Sequence, residues 1–232
     1  MPPQKNKVNY PKYKQLFTFQ RLLIIIPFAF FSINNFAQNL IRYDVSENIS
    51  IKIPDNFNVE DTLQQNVVKA FVGDDIIMII KPKKGISYDM ESEEDLIKFY
   101  NGFQKGMLEK TKGKIIDKKI TEINGLKFLQ ASFNTTISGE PKIWDNFTVL
   151  LNNYPHSFIF IRSNETDKNF TDLEQKIISS IKFGKGITLQ NQFNNDEVKL
   201  TAYKTGEVIG RLLVYALIIG IIIFFIRKSR KK

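Results

Sequence analysis

His156 is the only histidine in the chain, and there is no cysteine. This removes disulfides, thiolate zinc sites, a cysteine nucleophile and a lipid-bearing N-terminal cysteine. It also removes the zinc-protease helix, which needs two histidines one turn apart to present both imidazoles on one face. A serine triad through His156 would lack a Gly-x-Ser-x-Gly elbow at any serine. The position of His156 beside Pro155, between two apolar runs, predicts a turn residue. Carboxylates concentrate at Asp74-Asp75 and at Glu91, Glu93, Glu94 and Asp95. Neither group has the Asp-x-Asp-x-Asp-Gly spacing that wraps a cation. The first predicts a solvated hairpin tip, the second a helix N-terminus whose dipole favours acids. The remaining candidate is cationic. Lys110, Lys112, Lys114, Lys118 and Lys119 crowd around Gly113, a patch suited to an acidic partner, a lipid headgroup or a surface polysaccharide. No cofactor or metal is implied.

The formal charge of +9 resembles a nucleic-acid binder until it is divided by region. Residues 1–37 hold five basic residues and no acid, and residues 208–232 hold six and no acid. Of the 33 basic residues, 22 are left between these flanks to face all 24 acidic ones, a net of −2. Basic residues abutting apolar runs are what membrane insertion requires, so the charge points to membranes and excludes nucleic acid.

At the N-terminus a basic stretch leads into the 12-residue run Leu22–Ile33 and then to Ser32, Asn34, Asn35 and Ala37, the three regions of a secretory signal. At ~1.5 Å per residue the run reaches ~18 Å, short of the ~30 Å hydrocarbon core. Residues 1–37 are therefore expected to be a signal peptide cleaved after Ala37. At the other end Val208–Ile226 is a 19-residue segment whose only charge is Arg211, followed at once by Arg227-Lys228-Ser229-Arg230-Lys231-Lys232. It predicts a transmembrane helix over 208–226, with Arg211 snorkelling to the interface and the tail 227–232 cytoplasmic. Gly206 with Gly210, and Ala216 with Gly220, have the small-xxx-small spacing that would allow a homodimer.

The elements between these ends follow from periodicity. Ile49, Ile51 and Ile53 alternate with polar residues up to Pro54, a half-buried strand that opens the domain. Val67–Val72 and Ile76–Ile80 flank Gly73-Asp74-Asp75 as a hairpin. Leu96, Phe99, Tyr100, Phe103 and Met107 form one face of a helix from about Glu93 to Lys110, with Ser92 and Asp95 at its start. Ile115–Ile123 and Leu126–Phe133 surround Asn124-Gly125, and Ile143–Leu151 and Ser157–Arg162 are joined through residues 152–155. Thr171 with Glu174 predicts a capping box for a second helix through Leu173, Ile177 and Ile181, ending at Gly184 and Gly186. The result is an α+β domain over residues 38–186, an antiparallel β-sheet covered by two main helices. Residues 187–207 are mostly polar and predict a tether or a last edge strand. Asn-x-Ser/Thr sequons stand at Asn48, Asn134, Asn146, Asn164 and Asn169.

The opening Ile49-Ser50-Ile51-Lys52-Ile53-Pro54-Asp55-Asn56-Phe57, the central Ile123-Asn124-Gly125-Leu126-Lys127 and the closing Ser179-Ser180-Ile181-Lys182-Phe183 resemble the PsbP-like family, including DcrB-type envelope proteins. The exit Phe36-Ala37-Gln38 resembles signal exits of exported Bacteroidetes proteins. The family resemblance implies a PsbP-like sandwich that binds or assembles other molecules outside the cytoplasm and is not an enzyme. It supplies no functional residues. Unlike the DcrB type, this chain has no lipid-bearing cysteine and has a C-terminal anchor instead.

The expectation is a single-pass protein that spans the membrane and binds a protein or envelope partner. Two alternatives come from other classes: an envelope hydrolase built on Ser and Lys or on carboxylates, and an accessory subunit that acts through its transmembrane helix.

Overall fold

The computed structural model describes residues 39–62, 64–86, 89–137, 139–163, 168–195 and 202–214. The expected signal, and the expected span from residue 215 onward, lie outside these residues.

β1 (Leu40–Ser46) pairs antiparallel with β2 (Ile49–Pro54), whose three isoleucines are buried while Lys52 stays in water. The domain thus opens one strand earlier than Ile49. β1 lies half in water, without a clean apolar alternation to mark it. β3 (Asn58–Asp61), β4 (Gln65–Val72) and β5 (Asp75–Pro82) follow, then the two-residue β6 (Asp89–Met90) and helix α1 (Glu93–Thr111). Next come β7 (Lys114–Ile123), β8 (Leu126–Ile137), β9 (Glu140–Leu151) and β10 (Tyr154–Arg162). Seven of these strands form one sheet in the order β3-β4-β5-β10-β9-β8-β7, with every neighbour antiparallel.

Two hairpins turn on pairs of positive-φ residues, Asn124 (51°) with Gly125 (80°) and Asn152 (48°) with Asn153 (68°). Both match the right-handed twist of the strands they join. Because Asn-Asn makes the second turn unaided, β10 starts at Tyr154, earlier than the expected Ser157. His156 therefore lies inside a strand and is buried, not in a turn.

The pleat sends alternate residues to two separate cores. On one face Met78, Ile80, Leu129, Phe133, Trp144 and Ile159 pack under α1 through Phe99, Tyr100, Phe103 and Met107. On the other, Ile77, Ile79, Phe128, Phe147, Phe158 and Phe160 meet the isoleucines of β2 and helix α2 (Lys168–Ser179) through Phe170, Ile177 and Ile178. β11 (Lys182–Phe183) joins β2, so this second face is closed by a three-stranded sheet as well as a helix. The capping box expected at Thr171 is not formed. α2 starts at Lys168, Thr171 Oγ1 accepts from Arg162 Nη1 at 2.8 Å, and Glu174 is buried.

Residues 187–195, expected as tether, pack onto the domain. A 3-10 turn (Leu189–Gln192) is followed by β12 (Asn194–Asn195), which pairs with β6. This two-stranded ladder stands apart from the seven-stranded sheet, and Gln192 is 1% exposed.

A third helix, α3, occupies residues 202–214. It lies against α1 with the backbones in contact. A Cβ added at Gly102 would stand 1.9 Å from Tyr203 O, at Gly106 2.0 Å from Glu207 O, at Gly206 2.1 Å from Phe99 O and at Gly210 2.0 Å from Phe103 O. Residue numbers rise together along both helices, so the two run parallel. The Gly206–Gly210 pair expected to join two chains is used within this one, against Gly102 and Gly106 of α1. Ala216 and Gly220 lie outside the described residues. Leu213 and Val214 belong to the α1-side core, and Arg211 meets Glu109 Oε2 at 2.5 Å and also pairs with Glu207. Arg211 is therefore an ion-pair partner where snorkelling was expected. Among the described residues no helix is long and apolar enough to cross a membrane, and of residues 208–214 of the expected span Gly210, Leu213 and Val214 are buried in the domain while Val208 and Leu212 are exposed.

Candidate functional site

The end of the sheet beside the C-terminus of α1 carries an open groove of about 790 Å³. Its geometry starts with the way α1 stops. Thr111 folds its hydroxyl back onto Met107 O (3.0 Å), and Lys112 takes a left-handed conformation (φ 52°) with its N–H on Leu108 O. Gly113 then passes so close to β8 that a Cβ there would lie 2.9 Å from the Phe133 ring. Thr135 Oγ1 donates to Thr111 O at 2.7 Å, pinning the helix end to the strand. Lys112, Lys114 and Lys142 thereby line one depression together with Thr135, Thr136 and Ser163. Lys142 donates from Nζ to Ser163 Oγ and pairs with Glu140 at 3.5 Å. Lys142 is thus already neutralised, and the ammonium groups of Lys112 and Lys114 are the ones that can hold an anionic oxygen ligand such as a phosphate.

The five-lysine patch is not one surface. Lys112 and Lys114 line the groove, and Lys110 stands in the last turn of α1. Lys118 pairs across the ladder with Ala131 and Lys119 with Gln130, so the pleat sends them to opposite faces. Lys118 Nζ donates to Asn101 Oδ1 on α1, and burial pulls its ammonium below the usual lysine range. Lys142 and Ser163 went unmarked in the sequence because the only signal placing them beside Lys114 is the β8–β9–β10 register.

The other candidates are mostly structural. His156 Nδ1 lies 2.9 Å from Tyr154 O, and burial, aided by the nearby Lys81 charge, lowers the imidazole to about 4. It cannot reach solvent-borne substrate. Glu93 pairs with Lys127, and Glu94 and Asp95 pair with Lys98 at 3.0 and 3.3 Å. The Ser92 hydroxyl, donating to Asp95, holds that carboxyl below the ordinary range. Asp75 accepts from Ser163 N at 3.1 Å. Among the described residues no three His, Asp or Glu side chains are grouped to hold a metal ion. The sequon at Asn146 is fully buried, its side chain bonded to Thr148.

Two buried polar clusters were missed by sequence reasoning. On the α1 side, Gln192 Nε2 donates to Lys127 O (2.9 Å), Leu150 O (3.0 Å) and Tyr100 Oη (3.3 Å), and its Oε1 accepts from Lys127 N (2.8 Å). Burial raises the Tyr100 phenol above its ordinary range. On the opposite side, Arg162 Nη2 lies 2.8 Å from Asp145 Oδ2, Ser132 donates to Asp145, and Glu174 is pressed beside them. Burial first, and the Asp145 charge second, raise Glu174 to about 8, with Arg162 opposing. A second open groove, about 480 Å³, lies at β1, β2 and β11 and mixes Arg42, Asp44, Glu47 and Lys182, so it has no single sign.

No family model matches the chain, and no curated protein matches it. Among solved structures it is similar to PsbP (CyanoP) of the cyanobacterium Synechocystis, at 12% identity and TM-score 0.49, over 63% of this chain and 94% of that one. It is also similar to LpqN of Mycobacterium tuberculosis, described as involved in cell envelope biogenesis, at 12% identity and TM-score 0.41, over 62% and 90%. A third is the immunity protein TplEi of Pseudomonas aeruginosa, at 14% identity and TM-score 0.36, over 62% of this chain and 48% of that one.

Proposed function

We propose that this chain is a single-pass, membrane-anchored binding or assembly module whose α+β domain lies outside the cytoplasm. One observation carries the reading. The helix locked to α1 by four glycines leads directly into residues 215–226, which contain no charge, and then into Arg227-Lys228-Ser229-Arg230-Lys231-Lys232. Basic residues immediately after an apolar run mark the cytoplasmic side, so the domain falls on the other. The N-terminal run Leu22–Ile33 supplies the export signal that this orientation needs.

The test is a C-terminal tag followed through protease treatment of intact spheroplasts. The expected outcome is a mature chain shortened by the mass of the signal, with the domain digested from outside and a small tagged fragment protected. An unshortened chain whose domain resists protease would place the domain in the cytoplasm and end this reading.

One contact favours a second reading. Lys142 and Ser163 are hydrogen-bonded in the groove, the pairing a Ser–Lys hydrolase uses to activate its nucleophile. A fluorophosphonate probe that labels wild type but not Ser163→Ala would establish it. Absence of labelling on folded, membrane-inserted protein would leave the binding module.

A further inference from the structure

The anchored reading contains a length problem, and one end of the domain carries the surface that answers it. With Leu213 and Val214 buried in the α1-side core, residues 215–226 are the 12 apolar residues left for the bilayer. Twelve residues at ~1.5 Å each account for ~18 Å of a ~30 Å hydrocarbon core. A mismatch of that size is relieved when flanking residues are drawn to the interface, which brings the adjoining end of the domain to the headgroups.

Which end that is follows from the register of the two parallel helices. Gly102 meets Tyr203 and Glu207, and Gly106 meets Glu207 and Arg211. One more turn brings the last turn of α1 level with Val214, where the apolar run departs. That end of the domain carries Lys112, Lys114 and Lys142 around the groove, and the exposed Ile115 and Ile116 at 46% and 50%. A bulge between Ile115 and Asp117 breaks the β7 register there, so the two isoleucines do not belong to an edge ready to pair with another strand. Of the nearby acids, Glu109 is paired with Arg211 and Glu140 with Lys142, which leaves Lys112 and Lys114 as the cations, while Asp117 stands exposed beside Ile116.

We infer that this end of the domain seats on an anionic phospholipid surface, with the ammonium groups of Lys112 and Lys114 on lipid phosphates and Ile115 and Ile116 in the interface beneath them. The inference rests on the anchored reading. It gives the groove an occupant and makes the anchor, the α1–α3 junction and the lysines one device that fixes the height and tilt of the domain over the membrane. Lysines near an anionic surface contribute about fivefold each to such an equilibrium, an effect that salt screens.

The absence of cysteine allows a clean test on the full chain. Ile116→Cys carries an environment-sensitive dye, and Glu122→Cys, exposed at the far end of the same strand, carries the control. Each protein is reconstituted into vesicles of phosphatidylcholine alone or of an equal mixture with phosphatidylglycerol. The expected result is a blue-shifted dye at position 116, quenched by headgroup-labelled lipid, in the anionic vesicles only, and an unchanged dye at 122. Replacing Lys112 and Lys114 by glutamine should lower the docked-to-free ratio by about fivefold per lysine. Inserted protein whose dye at 116 stays in water in both lipids overturns the seating and leaves the anchor standing. A dye buried equally in both lipids also overturns it, because the isoleucines then enter the interface with no contribution from lipid charge. A chain that carbonate extracts from the vesicles overturns the anchored reading itself, and the seating with it.

Discussion

The two faces of the seven-stranded sheet are closed by opposite strategies. On the face under α1, the second covering helix is held by backbone against backbone, with Gly102, Gly106, Gly206 and Gly210 leaving no room for a methyl group. On the other face, side chains do the closing, and titratable groups are sealed among them: His156, Asp145, Arg162 and Glu174. The first face is intolerant of volume and should be indifferent to pH over the range in which the second responds. The second has side chains that can shift to absorb volume, but its charges are confined at low dielectric and have no water to relax them.

The largest effect should come from Arg162, the cation shared by two buried acids. Arg162→Met should cost about 3–5 kcal/mol, because it leaves Asp145 charged, buried and beside Glu174. Adding Asp145→Asn should restore a substantial part of the loss, measured by urea unfolding at neutral pH. If the double variant is as unstable as the single, the cost was packing, and the charged character of this face is overstated.

Next comes Gly206→Ala on the opposite face. Its Cβ would press on Phe99 O from 2.1 Å, and helix backbones cannot yield as a side chain would. A loss of about 1–3 kcal/mol is expected, the range for overpacking, and it should be the same at every pH tested between the two extremes. A pH-dependent loss would show that the two faces are coupled.

The sheet was legible in the sequence because its signals are local. Asn124-Gly125 marks its own turn, and the isoleucines of β2 report which side faces in. The helix–helix junction was half legible. The Gly206–Gly210 spacing was visible, but nothing in the pattern says whether the partner helix belongs to another chain or to residues 102–106 of this one. Gln192 was hidden because a polar run reads as solvent-facing unless its hydrogen-bond partners, here 42 to 92 residues away, are known. The groove was hidden for a related reason. Lys112 and Lys114 are neighbours in sequence, but Lys142 and Ser163 reach them only through strand register. Glu174 carried a misleading signal, since Thr-x-x-Glu has the spacing of a capping box whether or not the helix has already begun three residues earlier.

Between about pH 4.5 and 6.5 the pH dependence of the second face should be visible only when one of two opposing groups is removed, and above about 6.5 the Glu174 slope stands alone. Glu174 is raised from 4.5 to about 8, so between those values the folded chain holds a proton that the unfolded chain has lost. Its contribution is complete below about 4.5 and is lost as pH rises to about 8. His156 is lowered from 6.5 to about 4, so its neutral form favours the fold above about 6.5, and that contribution is lost as pH falls to about 4. From about 4.5 to 6.5 the two slopes, each up to about 1.4 kcal/mol per pH unit, oppose one another. Glu174→Gln should therefore leave stability rising with pH through that window, and His156→Asn should leave it falling, as read from unfolding midpoints across a pH series. Parallel curves for all three proteins would remove titration as the property that separates the faces.

The smallest effect concerns a residue that local conformation argues against. Lys112 is exposed at φ 52°, a left-handed position at the end of α1 where glycine carries no steric cost. Because its side chain is in water, Lys112→Gly should gain about 0.5–1 kcal/mol of stability by relieving that strain. The same change removes one of the two ammonium groups proposed to meet lipid. Stability and membrane seating should therefore move in opposite directions, with a higher urea midpoint alongside a docked-to-free ratio about fivefold lower on anionic vesicles. A backbone strained to hold a lysine that then does nothing at the membrane would leave the groove without its occupant. A variant that lost stability would instead show Lys112 contributing to the fold through its side chain, and the end of the helix-covered face would then depend on side chains as the opposite face does.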